Sequence, residues 1–145
     1  MRRLLFATAL IVFGVSLFSA QAPSTVTYVD HDKVATTIAN GGQLASGPDF
    51  AMSVAKRTGP GQVEIHDKET DTFYILEGEA MFVTGGTMVG GRVSRPNQQL
   101  GTDIQGGQTH RLVKGDVIAI PAGTPHWFKE VTRPITYYMV KVIRP

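Results

Sequence analysis

The sequence predicts an all-β domain, an antiparallel barrel or sandwich, with one short helix ahead of it. Three observations predict this class. From Phe50 onward, short runs rich in Val, Ile, Phe and Tyr recur between Gly, Pro and Asp, as strands bounded by turns do. Apolar residues in these runs alternate, and no helical period survives past residue 45. A chain of 145 residues with 42% hydrophobic content is large enough for one packed core and too small for two.

The first segment, "MRRLLFATALIVFGVSLFSAQA", has two arginines, an apolar or small-residue run from Leu4 to Phe18, and an A-x-A site at Ala20 and Ala22. That is the layout of a secretory signal peptide over residues 1–22. The run is shorter than the roughly 20 apolar residues a membrane-spanning helix requires, so cleavage is expected, and no integral membrane association after it. The mature protein is then exported, periplasmic or secreted. It contains no cysteine, so a lipoprotein anchor is excluded and stability must come from the core.

Residues 23–49 form an N-terminal extension. Within it Asp30 can cap a helix, "HDKVATTIA" places Val34 and Ile38 on one face, and "NGG" at 40–42 stops it. The barrel occupies residues 50–145. Its strand candidates are "FAMSVAKR", "QVEIH", "FYILEG", "AMFVTGG", "HRLV", "DVIAIP", "HWFKEV" and "ITYYMVKVI". "VTGGT" predicts a Gly-Gly hairpin turn. The glycine-rich stretch from Met88 to Gln108, with Pro96 inside it, reads as a long, partly mobile connection.

Charge names no partner. The chain has 14 Lys and Arg against 12 Asp and Glu, and without Arg2 and Arg3 the two counts are equal. No basic patch argues for nucleic acid.

Chemistry concentrates at "EIHDKETD", residues 64–71. In an extended strand Glu64 and His66 share a face, and after a turn through "DKET" Asp71 shares a face with Phe73 and Ile75. Pairing across such a hairpin brings Asp71 to Glu64 and His66. Downstream, "GDVIAIPAGTPHW" delivers His126 on a new strand. Such N and O donors facing a barrel interior suit one divalent metal. A carboxylate at 64 pointing inward without a cation would be costly or protonated. Taken singly, His66 is also compatible with an exposed hairpin histidine, His126 with a core histidine, and His110 with a rim position. Phe73, Ile75, Met81 and Phe128 are candidates for the pocket wall or the core, and Trp127 should face away from the pocket.

At these residues the chain resembles the cupin superfamily, small jelly-roll barrels that usually hold a metal on three histidines and a glutamate. The second cupin motif is met in full by Gly115, Pro121, Gly123 and His126. The first is met in part: counting back from Gly78, Asp71 takes the glutamate position, His66 the second histidine and Glu64 the first, and the leading glycine falls at Thr58, beside Gly59. The resemblance implies a jelly roll with a divalent Fe, Mn, Zn or Ni ion on Glu64, His66, Asp71 and His126. Without Asp71 the remainder is a two-histidine, one-carboxylate set with open positions, as in many non-haem iron oxygenases. Two functions follow: a metal-dependent enzyme acting on a small organic molecule, or a non-catalytic periplasmic small-molecule or metal-binding protein. Open strand edges in small barrels are often covered by a second subunit, which makes a homodimer the expected assembly.

Overall fold

A computed structural model describes residues 25–144; the signal-peptide reading of residues 1–22 lies outside the described residues. Helix α1 (His31–Asn40) starts where Asp30 caps it, Oδ1 accepting from the Lys33 N–H at 2.8 Å, and ends at Gly41 with φ 76°. Among the described residues no helix is long and apolar enough to cross a membrane. The remainder is β1 (Gly42–Ser46), β2 (Phe50–Arg57), β3 (Val63–His66), β4 (Glu69–Thr84), β5 (Thr87–Val89), β6 (Arg92–Arg95), β7 (Gln98–Gly101), β8 (Asp103–Gln105), β9 (Gln108–Val113), β10 (Val117–Ile120) and β11 (His126–Ile143). Every described ladder is antiparallel.

Two long strands organise the jelly roll. β4 has 16 residues and β11 has 18, well beyond the usual strand of about 3–10 residues, so each must bend to stay in one small domain. They pair along almost their whole length and bend together where the register shifts between Arg133 and Thr136. Gly78 sits opposite with φ 87°, and a Cβ there would overlap the Pro134 carbonyl oxygen. Only glycine satisfies both the conformation and the close approach. The motif's last glycine is thus the corner of the barrel.

On one side of the corner the His126 half of β11 pairs with the Thr84 half of β4, with β3 and β9 flanking them. On the other side the Ile143 half of β11 pairs with the Glu69 half of β4, flanked by β2 and β10. Between the two sheets lie Phe73, Ile75, Ala80, Phe82, Leu112, Ile120, Phe128, Ile135 and Tyr137. Rings pack closely there, with Phe82 and Phe128 centroids 4.6 Å apart and Phe73 and Tyr137 4.7 Å apart. Burying each such side chain contributes about 1.5–3 kcal/mol, which is how a cysteine-free chain holds its shape.

Three local expectations change. The stretch from Met88 to Gln108 holds most of β5 and all of β6, β7 and β8, because β7 finds a partner in distant β3, β6 folds back on β7, and β5 pairs with β8. Pro96 lies in the turn between β6 and β7, with Asn97 at φ 63°, where it interrupts no ladder. The "VTGGT" glycines do not close a hairpin: β4 pairs with β9 and β5 with β8, so Gly85 and Gly86 kink one long two-stranded arm. Finally, β3 pairs with β7 and β11 while β4 pairs with β9, β10 and β11. The turn at 67–68 therefore crosses between sheets, and Asp71 approaches His66 across the barrel rather than along a hairpin.

Candidate metal centre

Two cross-strand pairs, one from each sheet, build the site. Glu64 and His126 are register partners of β3 and β11, and Asp71 and Lys141 are partners of β4 and β11. Directly opposed residues share a face, so all four point inward, and His66 joins Glu64 by the strand period. His66, Asp71 and His126 are buried, while the Glu64 side chain is half-buried.

The donor atoms converge. His66 Nε2 lies 3.3 Å from Glu64 Oε2 and 3.5 Å from Asp71 Oδ2, and His126 Nε2 lies 3.9 Å from the same Asp71 oxygen. Glu64, His66 and His126 each offer one ligand atom, all within 4.8 Å of one another. His66, Glu69 and Asp71 form a second such group. His126 Nδ1 lies 2.9 Å from the Thr124 carbonyl oxygen. A carbonyl can only accept, so Nδ1 carries the proton and Nε2 keeps its lone pair toward the cavity, the orientation a metal-binding imidazole requires. Burial lowers the His126 pKa, partly opposed by that bond to Thr124. His66 Nδ1 is buried without a hydrogen-bond partner; Glu69 Oε2, its neighbour at 3.6 Å, is too distant for one.

Both inward carboxylates already have cationic neighbours. Arg57 Nη2 stands 3.4 Å from Glu64 Oε1, so the cation expected to accompany a carboxylate at 64 is present within the protein. Gln98 Nε2 is 3.4 Å from Glu64 Oε2. Burial pushes the Glu64 carboxyl up, but its bond to His66 and the nearby His126 and Arg57 outweigh this and hold it down at about 2. Lys141 Nζ donates to both oxygens of Asp71, at 2.9 and 3.0 Å, and to Glu69 Oε2 at 2.7 Å. The structure thus brings together all four expected ligands and gives Asp71 a lysine.

These side chains open onto a cavity of about 200 Å³, walled also by Ala55, Phe73, Phe128, Tyr137 and Met139. Of the four apolar candidates, Phe73 and Phe128 line it, Ile75 is fully in the core, and Met81 is half-buried elsewhere. Contrary to the expectation that it faces away, Trp127 contributes to the lining, and its indole N–H donates to the Gly61 carbonyl at 2.8 Å. His110 bonds Thr84 Oγ1 at 2.8 Å and lines a separate cavity. His31 is exposed.

Sequence reasoning missed Arg57, Gln98 and Lys141. Strand period alone would have aligned Lys141 with Tyr137 and Met139, but the neighbouring face of "ITYYMVKVI" is equally apolar. Gln98 arrives through the β3 to β7 ladder, which no local pattern announces.

Comparison with known proteins gives one family and a set of folds. A family profile described as Cupin matches residues 24–141. The structure is similar to the cupin domain of Schizosaccharomyces pombe Cnp3, at 18% identity over 72% of this chain and 64% of that chain, with a TM-score of 0.53. The chain thus spans just under two thirds of that relative's length. It is similar to a cupin superfamily protein from Desulfitobacterium hafniense (21% identity, 72% and 76% of the two chains, TM-score 0.50). A protein from Bacillus halodurans is similar at 18% identity over 81% and 82% of the two chains, with a TM-score of 0.56. No curated protein matches the sequence.

Proposed function

The chain belongs to the cupin family, and from that premise we propose that it is an exported, metal-dependent enzyme that holds one divalent ion on Glu64, His66 and His126 and acts on a small organic molecule. The observation that carries this reading is the donor set itself: three ligand atoms within 4.8 Å, one imidazole locked by Thr124 with its lone pair inward. Two imidazoles and one carboxylate suit Fe, Mn, Zn or Ni. Asp71 is assigned to Lys141 rather than to the ion, since a carboxylate with both oxygens on an ammonium has little left to donate. Three protein ligands leave positions for substrate or water, as catalytic rather than closed structural sites do.

When bound, the ion supplies a Lewis acid that polarises an oxygen of the substrate or of water. The chain's own residues do the rest. Arg57 and Gln98 fix the two oxygens of Glu64. Phe73, Phe128 and Met139 give an apolar wall that limits water. Lys141 holds both oxygens of Asp71 in place at the cavity floor.

Elemental analysis of protein purified without chelator or a nickel column should find close to one metal per chain. Anaerobic titration with Mn²⁺, Fe²⁺ and Zn²⁺ should show weaker binding in His66→Ala, His126→Ala and Glu64→Gln. Parent-like affinity in both histidine variants would overturn the assignment. Intact mass of protein from the native envelope tests the export part of the proposal, with a mature start near Gln21 or Pro23 expected.

A further inference from the structure

The outer half of the cavity differs in character from its floor. His66 and Asp71 are 4% and 2% exposed, whereas the Arg57 side chain is 30% exposed, and Arg95, Gln62 and Gln98 line the cavity beside it. Arg57 is held firmly. Its Nε donates to the Tyr137 hydroxyl oxygen at 3.1 Å, and its guanidinium lies 4.9 Å above the Phe128 ring. Of its five N–H donors, Nε serves Tyr137 and Nη2 faces Glu64. The Nη1 end points at Gly61, where an added Cβ would lie 2.8 Å from Nη1. Gly61 has no positive φ, so backbone conformation does not require glycine there; what its missing side chain supplies is space beside the guanidinium.

Charge points the same way. Arg57, Arg95 and Lys141 line the cavity against Glu64 and Asp71, and Glu69 is bonded to Lys141. These six charges cancel. A divalent ion leaves the pocket with two positive charges in excess, in surroundings where an unbalanced charge is costly. The cavity of about 200 Å³ is below the roughly 300–1,000 Å³ of pockets for drug-sized ligands. The occupant is therefore small and anionic.

We propose that the ligand completing this site is a small organic carboxylate, gripped at the outer end of the cavity by Arg57 with Arg95 at the rim. The inference deepens the metal-enzyme reading and rests on it for the inner end of the ligand; the arginine grip can be measured with or without metal. Planar guanidinium donors match a carboxylate and hold it by charge-assisted bonds. A neutral amide of the same shape gains none of that.

The test is calorimetric titration of the full chain, Mn²⁺-loaded and metal-free, with acetate, lactate, malonate and the neutral analogue malonamide. At least one carboxylate should bind the loaded parent, and malonamide should bind at least about tenfold more weakly than malonate. Arg57→Gln should weaken carboxylate binding by about tenfold or more, with Arg57→Lys recovering part of the loss because it restores charge without the fork. Gly61→Ala, which displaces the guanidinium but keeps its charge, should weaken binding by a smaller factor. Arg95→Gln, at an exposed rim position, gives a readout should Arg57→Gln fail to fold. Equal binding of malonate and malonamide, no loss in the arginine and glycine variants, or no carboxylate bound in either form overturns the proposal. If the parent takes up no metal, the metal reading falls, and the metal-free titrations still judge the arginines: an Arg57-dependent preference for carboxylate upholds the subsite, and its absence removes it.

Discussion

Lys141 and Asp71 show how much one unnoticed residue changes a site. Asp71 is 2% exposed and carries both oxygens on the lysine ammonium. Removing one member of a buried pair leaves an uncompensated charge, which costs about 3–5 kcal/mol. Lys141→Met should therefore destabilise the metal-free protein by roughly 3 kcal/mol, and the double change with Asp71→Asn should recover most of it. Urea denaturation of the four proteins checks this, and additive losses would refute the pairing. Glu64 makes a separate prediction in pH. Its carboxyl is held at about 2 in the fold against an ordinary 4.5, so its ionisation stabilises the fold fully above the ordinary value. That contribution fades as pH falls toward 2. With chelator present, the stability advantage of the parent over Glu64→Gln should be largest above pH 5 and should shrink between 4.5 and about 2. At this scale the sequence disclosed Glu64, His66, Asp71 and His126 as candidate ligands through their spacing. It concealed Lys141, which lies in a strand apolar on both faces, and Arg57, whose strand alternates only loosely, so that alternation cannot say which face is inward.

Among the elements, the corner at Gly78 carries a sharp prediction. Gly78→Ala meets both a positive φ and the Pro134 carbonyl, so it should cost well over the roughly 1–2 kcal/mol of a left-handed residue alone. Gly115→Ala is the control: φ is 92° but nothing lies within 4 Å of the added Cβ. It should cost only the conformational penalty, about 1–2 kcal/mol. Thermal melts of the two variants separate steric from conformational demand, and equal losses would refute the corner. The helix and most strands were legible because their signals are local: a capping aspartate, a glycine stop, alternation between turns. The strands inside 88–108 were not, since Gln98–Gly101 becomes a strand only by pairing with Val63–His66. A pairing partner more than thirty residues away leaves no mark on local composition, yet this segment delivers Gln98 and Arg95 to the cavity.

For the whole molecule, the ladder between β4 and β11 joins residues far apart in the chain; Lys141 reaches Asp71 across 70 positions. The large loop between them must close before either half of the site exists. Chains dominated by such non-local pairing reach the native state in milliseconds to seconds rather than microseconds. No subset of local contacts presents Glu64, His66 and His126 together, so a metal ion has nothing to grip until the barrel has closed. Stopped-flow chevrons with and without Mn²⁺ should therefore share one refolding limb. The unfolding limb should move down with metal, because stabilisation acquired after the transition state appears only in escape from the native basin. A metal-dependent refolding rate would place the site in the nucleus instead. On this account the ion sets how long each folded molecule lasts, and the bent pair of strands sets how quickly it forms.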